Sequence, residues 1–308
     1  MKKIRNQING VLLLDKPLGL SSNSAIQRVK YVLNAEKVGH TGTLDPLATG
    51  LLPVCLGEAT KFASYLLDGD KEYIATAQLG VITDSGDAEG NIVATNVVTT
   101  NLATIEQVIS QFRGEITQVP PMYSALKHNG RPLYEYARAG ISIERPSRNV
   151  TIHELELLSY DPTLEQIQFR ARVSKGTYIR TLAEDIGNSL GCGASLTGLR
   201  RTHSNLFNID AAYELNELIE IANWQELNIL PVDVLCQDLA IFEISDKLLA
   251  AVSNGNKCKL TDIKPDHVLV GKGVRVYHQN RFMGVAELQL NQGIVELCPK
   301  RMMKSVNL

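Results

Sequence analysis

The sequence predicts an α+β fold, with a large domain of interleaved strands and helices followed by a small β-rich module. Three observations predict it. Helix-like and strand-like hydrophobic patterns both occur before about residue 245, without the regular βαβ alternation of a doubly wound sheet. After that point the texture changes to one short helix and several short strands separated by Gly and Asn. The chain has 308 residues, 44% hydrophobic and 21% charged, enough for one large domain plus a small one.

The elements follow in order. Residues 10–15 (GVLLLD) read as a short buried strand, broken by Lys16-Pro17 and Gly19. Ser22 or Asn23 is expected to cap a helix with Ile26, Val29, Val32 and Leu33 on one side. Residues 39–50 form a loop rich in Gly, Thr and Pro, residues 51–56 a strand, and residues 58–67 a short helix. Residues 72–79 alternate, with Tyr73, Ala75, Ala77 and Leu79 facing one way, as in a strand with both faces partly covered. Residues 84–87 and 89–91 are turn-forming. Leu102, Ile105, Ile109 and Phe112 mark a helical stripe. Gln168, Arg170 and Arg172 form the polar face of a strand, and Ile179, Leu182, Ile186 and Leu190 give a helix ending at Gly191. In the last module, residues 246–252 are helical, and strands are expected around 268–270, 274–277, 282–290 and 294–297. The domain division is placed at 1–245 and 246–308.

Composition narrows the function classes. Net charge is −2 and the pI is near 6.3, so any nucleic-acid site is a local basic groove on a near-neutral protein. Residues 127–148 offer one, with Lys127, Arg131, Arg138, Arg145 and Arg148 against Glu135 and Glu144. Arg180 with Arg200 and Arg201 offers another; taken alone, each cluster reads as a solvated face sooner than as an RNA contact. The five scattered cysteines include no C-x-x-C pair, which argues against a disulfide framework or zinc site and for free thiols in a reducing, cytoplasmic setting. No stretch approaches the roughly 20 apolar residues of a membrane span. The start, MKKIR, is not followed by the apolar run of a signal peptide.

The most unusual stretch is residues 39–50, GHTGTLDPLATG. Its glycines permit unusual backbone, and its hydroxyls can hydrogen-bond nearby groups. Pro46 pushes Asp45 away from helical geometry, onto an extended segment. The residues alone leave two uses open: a turn carboxylate, or a nucleophile or electrostatic partner at a sugar carbon. A phosphate-binding G-x-x-x-x-G-K-[ST] loop is absent from the sequence, with no Lys after Gly42 or Gly50.

That stretch resembles the signature of the TruB family of tRNA pseudouridine synthases, and further blocks accompany it in order. They are residues 10–19 (GVLLLDKPLG), 56–67 (LGEATKFASYLL), 71–75 (KEYIA), 83–90 (TDSGDAEG), 118–140 (QVPPMYSALKHNGRPLYEYARAG), 175–187 (KGTYIRTLAEDIG) and 194–202 (ASLTGLRRT). Together they span about residues 10 to 205, and the joint match is specific. The resemblance implies a pseudouridine-synthase-like fold: a mixed, mainly antiparallel sheet with flanking helices, plus a small PUA-like RNA-binding domain at the C-terminus.

The reaction it implies breaks the N-glycosidic bond of a uridine, turns the base and rejoins it through carbon 5, at position 55 in the T-arm loop of tRNA. The base must leave its stack to be reached. No cofactor or metal is implied, and the expected enzyme is a stand-alone monomer with tRNA as its partner and no obligatory protein partner. Asp45 matches the family's essential aspartate. Tyr73 matches a tyrosine that stacks on the flipped base and takes part in proton transfer. Arg180 matches an arginine that pairs with the carboxylate, favouring its ionised form. Tyr178 and Leu199 match positions lining the uridine pocket, and His40 matches a histidine that contacts the nucleotide. Lys127, Arg131, Arg138 and Arg200 are the candidate RNA contacts.

Two departures stand out: Ser195 occupies a position where the family commonly has histidine, and Asn205 one where it has glycine. Asn tolerates left-handed backbone, so the turn at 205 is expected to survive. Three competing readings remain at this point. They are a catalytically silent RNA-binding protein on the same scaffold, a guide-RNA-dependent enzyme working in a complex, and a hydrolase using Asp45 at a sugar. Asp45, Tyr73 and Arg180 are all present against the first, the chain lacks long basic tails for the second, and the third lacks an evident second carboxylate.

Overall fold

The computed structural model describes residues 4–67, 69–221, 223–260 and 270–304. Among them, a ten-stranded sheet forms the large domain. Its main path runs Tyr213–Glu214, Gly10–Lys16, Ala48–Leu56, Ala194–Ser204, Lys71–Leu79, Gln166–Val173, Arg148–Asp161, Gly114–Gln118. Two of its pairings are parallel, Gly10–Lys16 with Tyr213–Glu214 and Ala48–Leu56 with Ala194–Ser204. The others are antiparallel. The expected mixed, mainly antiparallel α+β architecture is the one that forms.

Burial explains why these segments are strands. Gly10–Lys16 is buried along almost its whole length, as a strand covered on both faces must be. Leu12 and Leu14 pack with Ala25, Ile26 and Val29 of the first helix, while Val11 and Leu13 face Phe62 and Leu235 on the other side. In Lys71–Leu79 the buried face carries Ala75, Ala77 and Leu79, which pack on Phe169 and on Leu182 and Ile186 of the helix Ile179–Ser189. Tyr73 and Leu199 are only partly buried and touch two separate cores, so they stand at the seam between them.

Several local expectations shift. The helix Ser22–Val32 is capped by Ser21, whose extended backbone lets its hydroxyl accept the Ser24 N–H. Ser22 is thereby inside the first turn and buried, free for another task described below. Residues 58–67 form two 3₁₀ turns, Gly57–Lys61 and Ala63–Leu66, in place of an α-helix. The loop at 39–50 is shorter than expected, because its ends join the strands Val38–His40 and Ala48–Leu56. Asn205 adopts a left-handed φ of 55°, so the turn expected there forms.

The C-terminal module is a five-stranded sheet in the order Ala240–Glu243, Gly273–His278, Arg281–Asn291, Ile294–Met302, Cys258–Leu260, beside the helix Asp246–Ser253. The sheet reaches back to Ala240, ahead of residue 246, through a parallel pairing that local pattern does not reveal. The strand expected around 268–270 falls largely outside the described residues. The module packs on the large domain, with Val285 buried beside Phe62 and the Phe62 and Phe282 rings 5.4 Å apart. All five cysteines are free and buried. No helix among the described residues is long and apolar enough to cross a membrane.

Candidate active site

The segment 41–47 is irregular but firmly anchored. Ser22 Oγ donates to the Leu44 carbonyl at 2.9 Å and accepts the Leu44 N–H at 2.7 Å, both buried. The Gly19 N–H donates to the Pro46 carbonyl at 2.9 Å, and the Ala48 N–H to the Asp45 carbonyl at 3.1 Å. From the other side comes Arg201, 1% exposed, whose guanidinium donates to the carbonyls of Leu51 at 2.7 Å and Gly42 at 3.3 Å. Gly50 allows Arg201 this close: its φ is +102°, and a Cβ there would lie 2.3 Å from the Arg201 carbonyl oxygen. Asp45 is therefore held on a fixed backbone between a buried serine and a buried arginine.

Arg180 is the second residue of the helix Ile179–Ser189, where a cation opposes the helix dipole. It is 5% exposed, so it is no surface arginine. Its guanidinium is satisfied by two carboxylates, Asp45 at 3.0 Å and Asp87 at 3.1 Å, and by the carbonyls of Ser85 and Tyr123. The two carboxylates differ in access: the Asp87 side chain is 4% exposed and that of Asp45 is 44%. Asp87 thus holds Arg180 from behind, and Asp45 is the partner that is open to the cavity. Partial burial pushes the Asp45 carboxyl up, as does repulsion from Asp87, while Arg180 and Lys16 oppose the rise.

One cavity of about 380 Å³ brings together Asp45, Tyr73, Tyr178, Arg180 and Leu199. The sheet register explains the meeting. Leu199 pairs with Ala48, three residues beyond Asp45, on one side, and with Ala75 of the Tyr73 strand on the other. A second cavity of about 650 Å³ shares Asp45 and Arg180 and adds His40 and Arg138. Burial and the nearby Arg201 charge push the His40 pKa down, which keeps the ring neutral near pH 7. Lys127 and Arg131 lie outside both cavities, on an exposed hairpin. Arg131 there pairs with Glu135 at 2.8 Å. Arg200 points away from the pocket entered by its neighbour Leu199 and forks onto Asp15 at 3.2 and 2.6 Å.

A carboxylate set beside a buried arginine, an apolar wall and two tyrosines suits a planar base attached to a sugar. Comparison with known proteins agrees. Residues 30–179 match the TruB family pseudouridylate synthase N-terminal domain, and residues 180–237 match the tRNA pseudouridylate synthase B C-terminal domain. The tRNA pseudouridine synthase B of Chromobacterium violaceum is 50% identical over 286 residues, 92% of each chain. That of Azoarcus sp. is 50% identical over 300 residues, 97% of this chain and 96% of the relative. The chain belongs to the TruB family of pseudouridylate synthases. A solved structure of a Cbf5–Nop10–Gar1 complex contains a chain with the same fold, at a TM-score of 0.71 and 29% identity, covering 96% of this chain and 85% of that one.

In this TruB-family site, sequence reasoning missed the residues that act behind the first layer. Lys16, read as a strand breaker, is fully buried, and its ammonium donates to the carbonyls of Pro17 at 2.9 Å and Leu20 at 2.6 Å. Burial lowers its pKa to about 8, against the pull of Asp45 and Glu89. Asp87, read as part of a turn, is the second anchor of Arg180. The available signal was that both lie in the matched blocks as charged residues next to turns. Arg201, grouped by sequence with Arg200 as a basic cluster, is an internal anchor of the loop.

Beneath Arg180 lies Glu184, one turn further along the same helix. Burial pushes its carboxyl up to about 7; repulsion from Asp185 and Asp87 adds to this and Arg180 opposes it. A carboxyl raised on folding contributes stability that is complete below about pH 4.5 and is lost as pH rises to about 7. Glu184→Gln is therefore expected to be more stable than wild type at pH 8 by about 1–2 kcal/mol, allowing for partial solvation, with the advantage vanishing near pH 4.5. Urea unfolding at the two pH values measures it, and an equal ΔΔG at both would refute the assignment.

Proposed function

We propose that this enzyme isomerises uridine 55 in the T-arm loop of tRNA, with Asp45 as its essential carboxylate. The coarser statement follows from family membership: it is an isomerase that converts uridine to pseudouridine in tRNA. One observation above all supports the finer reading, the convergence of Asp45, Tyr73, Tyr178, Arg180 and Leu199 on a single cavity.

In this reading the target nucleotide leaves its stack and enters the cavity. Tyr73 and Leu199 hold the base, Tyr178 lines the wall beside it, and His40 contacts the nucleotide from the adjoining cavity. The Asp45 carboxylate acts at the ribose while the bond from carbon 1′ to N1 breaks. Arg180 keeps that carboxylate ionised and aimed, against the push of burial. The base turns, carbon 5 bonds to carbon 1′, the carbon-5 hydrogen departs as a proton with the Tyr73 hydroxyl assisting, and N1, freed of its bond to the sugar, takes up a proton in exchange. Nothing is gained or lost overall, so the reaction asks for no cofactor. Lys127, Arg131, Arg138 and Arg200 contact RNA around the pocket, and the sheet module that begins at Ala240 serves as a PUA-like RNA-binding domain on the catalytic domain before it. The enzyme works in the cytoplasm as a monomer.

The test is carbodiimide mapping of a tRNA transcript after incubation with the protein. A single new pseudouridine stop at position 55, absent when that uridine is replaced by cytidine, is expected. Modification elsewhere with position 55 untouched would overturn the proposal.

A further inference from the structure

The strands Gly114–Gln118 and Arg148–Asp161 pair antiparallel, with Gln118 opposite Arg148. The insertion between them, residues 119–147, carries the hairpin with Lys127 and Arg131 and the helix Leu133–Arg138. Gln118 and Arg148 are thus the pair at the stem of that insertion, and both side chains reach Tyr178. Gln118 is 1% exposed. Its carboxamide donates to the Tyr178 carbonyl at 3.2 Å and accepts the Tyr178 N–H at 3.0 Å. The Arg148 guanidinium lies over the Tyr178 ring, 4.8 Å from its centre, and its Nη2 donates to the Gly176 carbonyl. Its Nε is buried without a hydrogen-bond partner among the described residues, so it is the ring and one carbonyl that place this cation.

Tyr178 is in turn the residue that caps the helix of Arg180. It has no side-chain hydrogen bond to its own helix, so its conformation rests on what surrounds it. A backbone gripped at both N–H and C=O, and a ring covered by a cation, leave one placement of the phenol in the cavity that Arg148 also lines. We infer that Gln118 and Arg148 are positioning residues for the reaction, fixing Tyr178 against the target base. The inference rests on the reading of Tyr178 as a wall of the uridine pocket.

The test is a double-mutant cycle between Arg148→Ala and Tyr178→Leu, with Arg148→Lys beside it. Two quantities are read: the single-turnover rate at saturating enzyme, and the affinity ratio for stem-loops carrying a uridine or an abasic nucleotide at the target. Arg148→Ala is expected to slow the step by about tenfold or more and to shrink the affinity ratio, with binding of the abasic stem-loop within about twofold of wild type. Arg148→Lys keeps a cation above the ring and recovers most of both. Adding Arg148→Ala to Tyr178→Leu brings no further loss, because the arginine acts through the ring. Wild-type behaviour of Arg148→Ala, or losses that add in full, would overturn the inference while leaving the pocket intact. Wild-type behaviour of Tyr178→Leu would overturn the pocket reading and the inference with it.

Discussion

Asp45→Asn is expected to lower single-turnover pseudouridine formation by at least about 10⁴-fold while changing tRNA affinity by less than about threefold. The substitution keeps the shape of the side chain and removes its charge. The loop is held through backbone bonds from Ser22, Gly19 and Arg201, none of which involves the Asp45 carboxylate. Arg180 keeps Asp87 as an ion partner at 3.1 Å, so the helix start stays in place. RNA affinity is expected to draw mainly on phosphate contacts elsewhere and to fall with salt in both proteins alike. Rapid-quench kinetics and filter binding measure the two effects. A rate near wild type would remove Asp45 from the centre of the chemistry.

Arg180→Ala is expected to be costly in two ways. It removes the cation that faces Asp87, whose side chain is 4% exposed, and leaves that carboxylate buried without its ion partner. Breaking a buried pair from one side costs about 3–5 kcal/mol, which urea unfolding would show. It also frees Asp45 from the charge that opposes burial, so the fraction of ionised carboxylate falls and its aim is lost. Turnover is expected to drop by about 10³-fold or more at temperatures where the variant stays folded. Arg180→Lys restores charge, but one ammonium cannot reach two carboxylates and two carbonyls as the planar fork does. It is expected to recover stability before it recovers rate. Equal recovery of both would show that Arg180 serves the fold alone.

The elements that were legible in the sequence are those whose pattern is local. The alternation in Lys71–Leu79 and the stripes of Leu102–Ser110 and Ile179–Ser189 follow from which side chains a strand or helix must bury. Ser21 was missed as a cap because Ser21, Ser22 and Asn23 are equally able to cap by type. Only the inward hydrogen bonds of Ser22 to Leu44 separate them. The strand Ala240–Glu243 was missed because it is short, exposed along much of its length and defined by its parallel partner. In the site, the residues legible in the sequence, by resemblance to a family, were those of the motif blocks that face the cavity. The roles of Asp87, Gln118 and Arg148 depend on pairings across 30 residues or more of chain, such as Gln118 opposite Arg148 and Asp87 against Arg180. A basic run at 127–148 reads as one surface, yet its last member, Arg148, turns inward onto Tyr178.

An isomerase of this kind moves a uracil ring from its N1 to its C5 attachment without releasing it. Tritium release from tRNA labelled at uridine carbon 5 tests that most directly, with free uracil assayed in the same samples. Release is expected to plateau at one tritium per tRNA, with no free uracil, and to vanish when uridine 55 is replaced. Tightly bound tRNA without tritium release, or free uracil in step with it, would rule out isomerisation at this uridine.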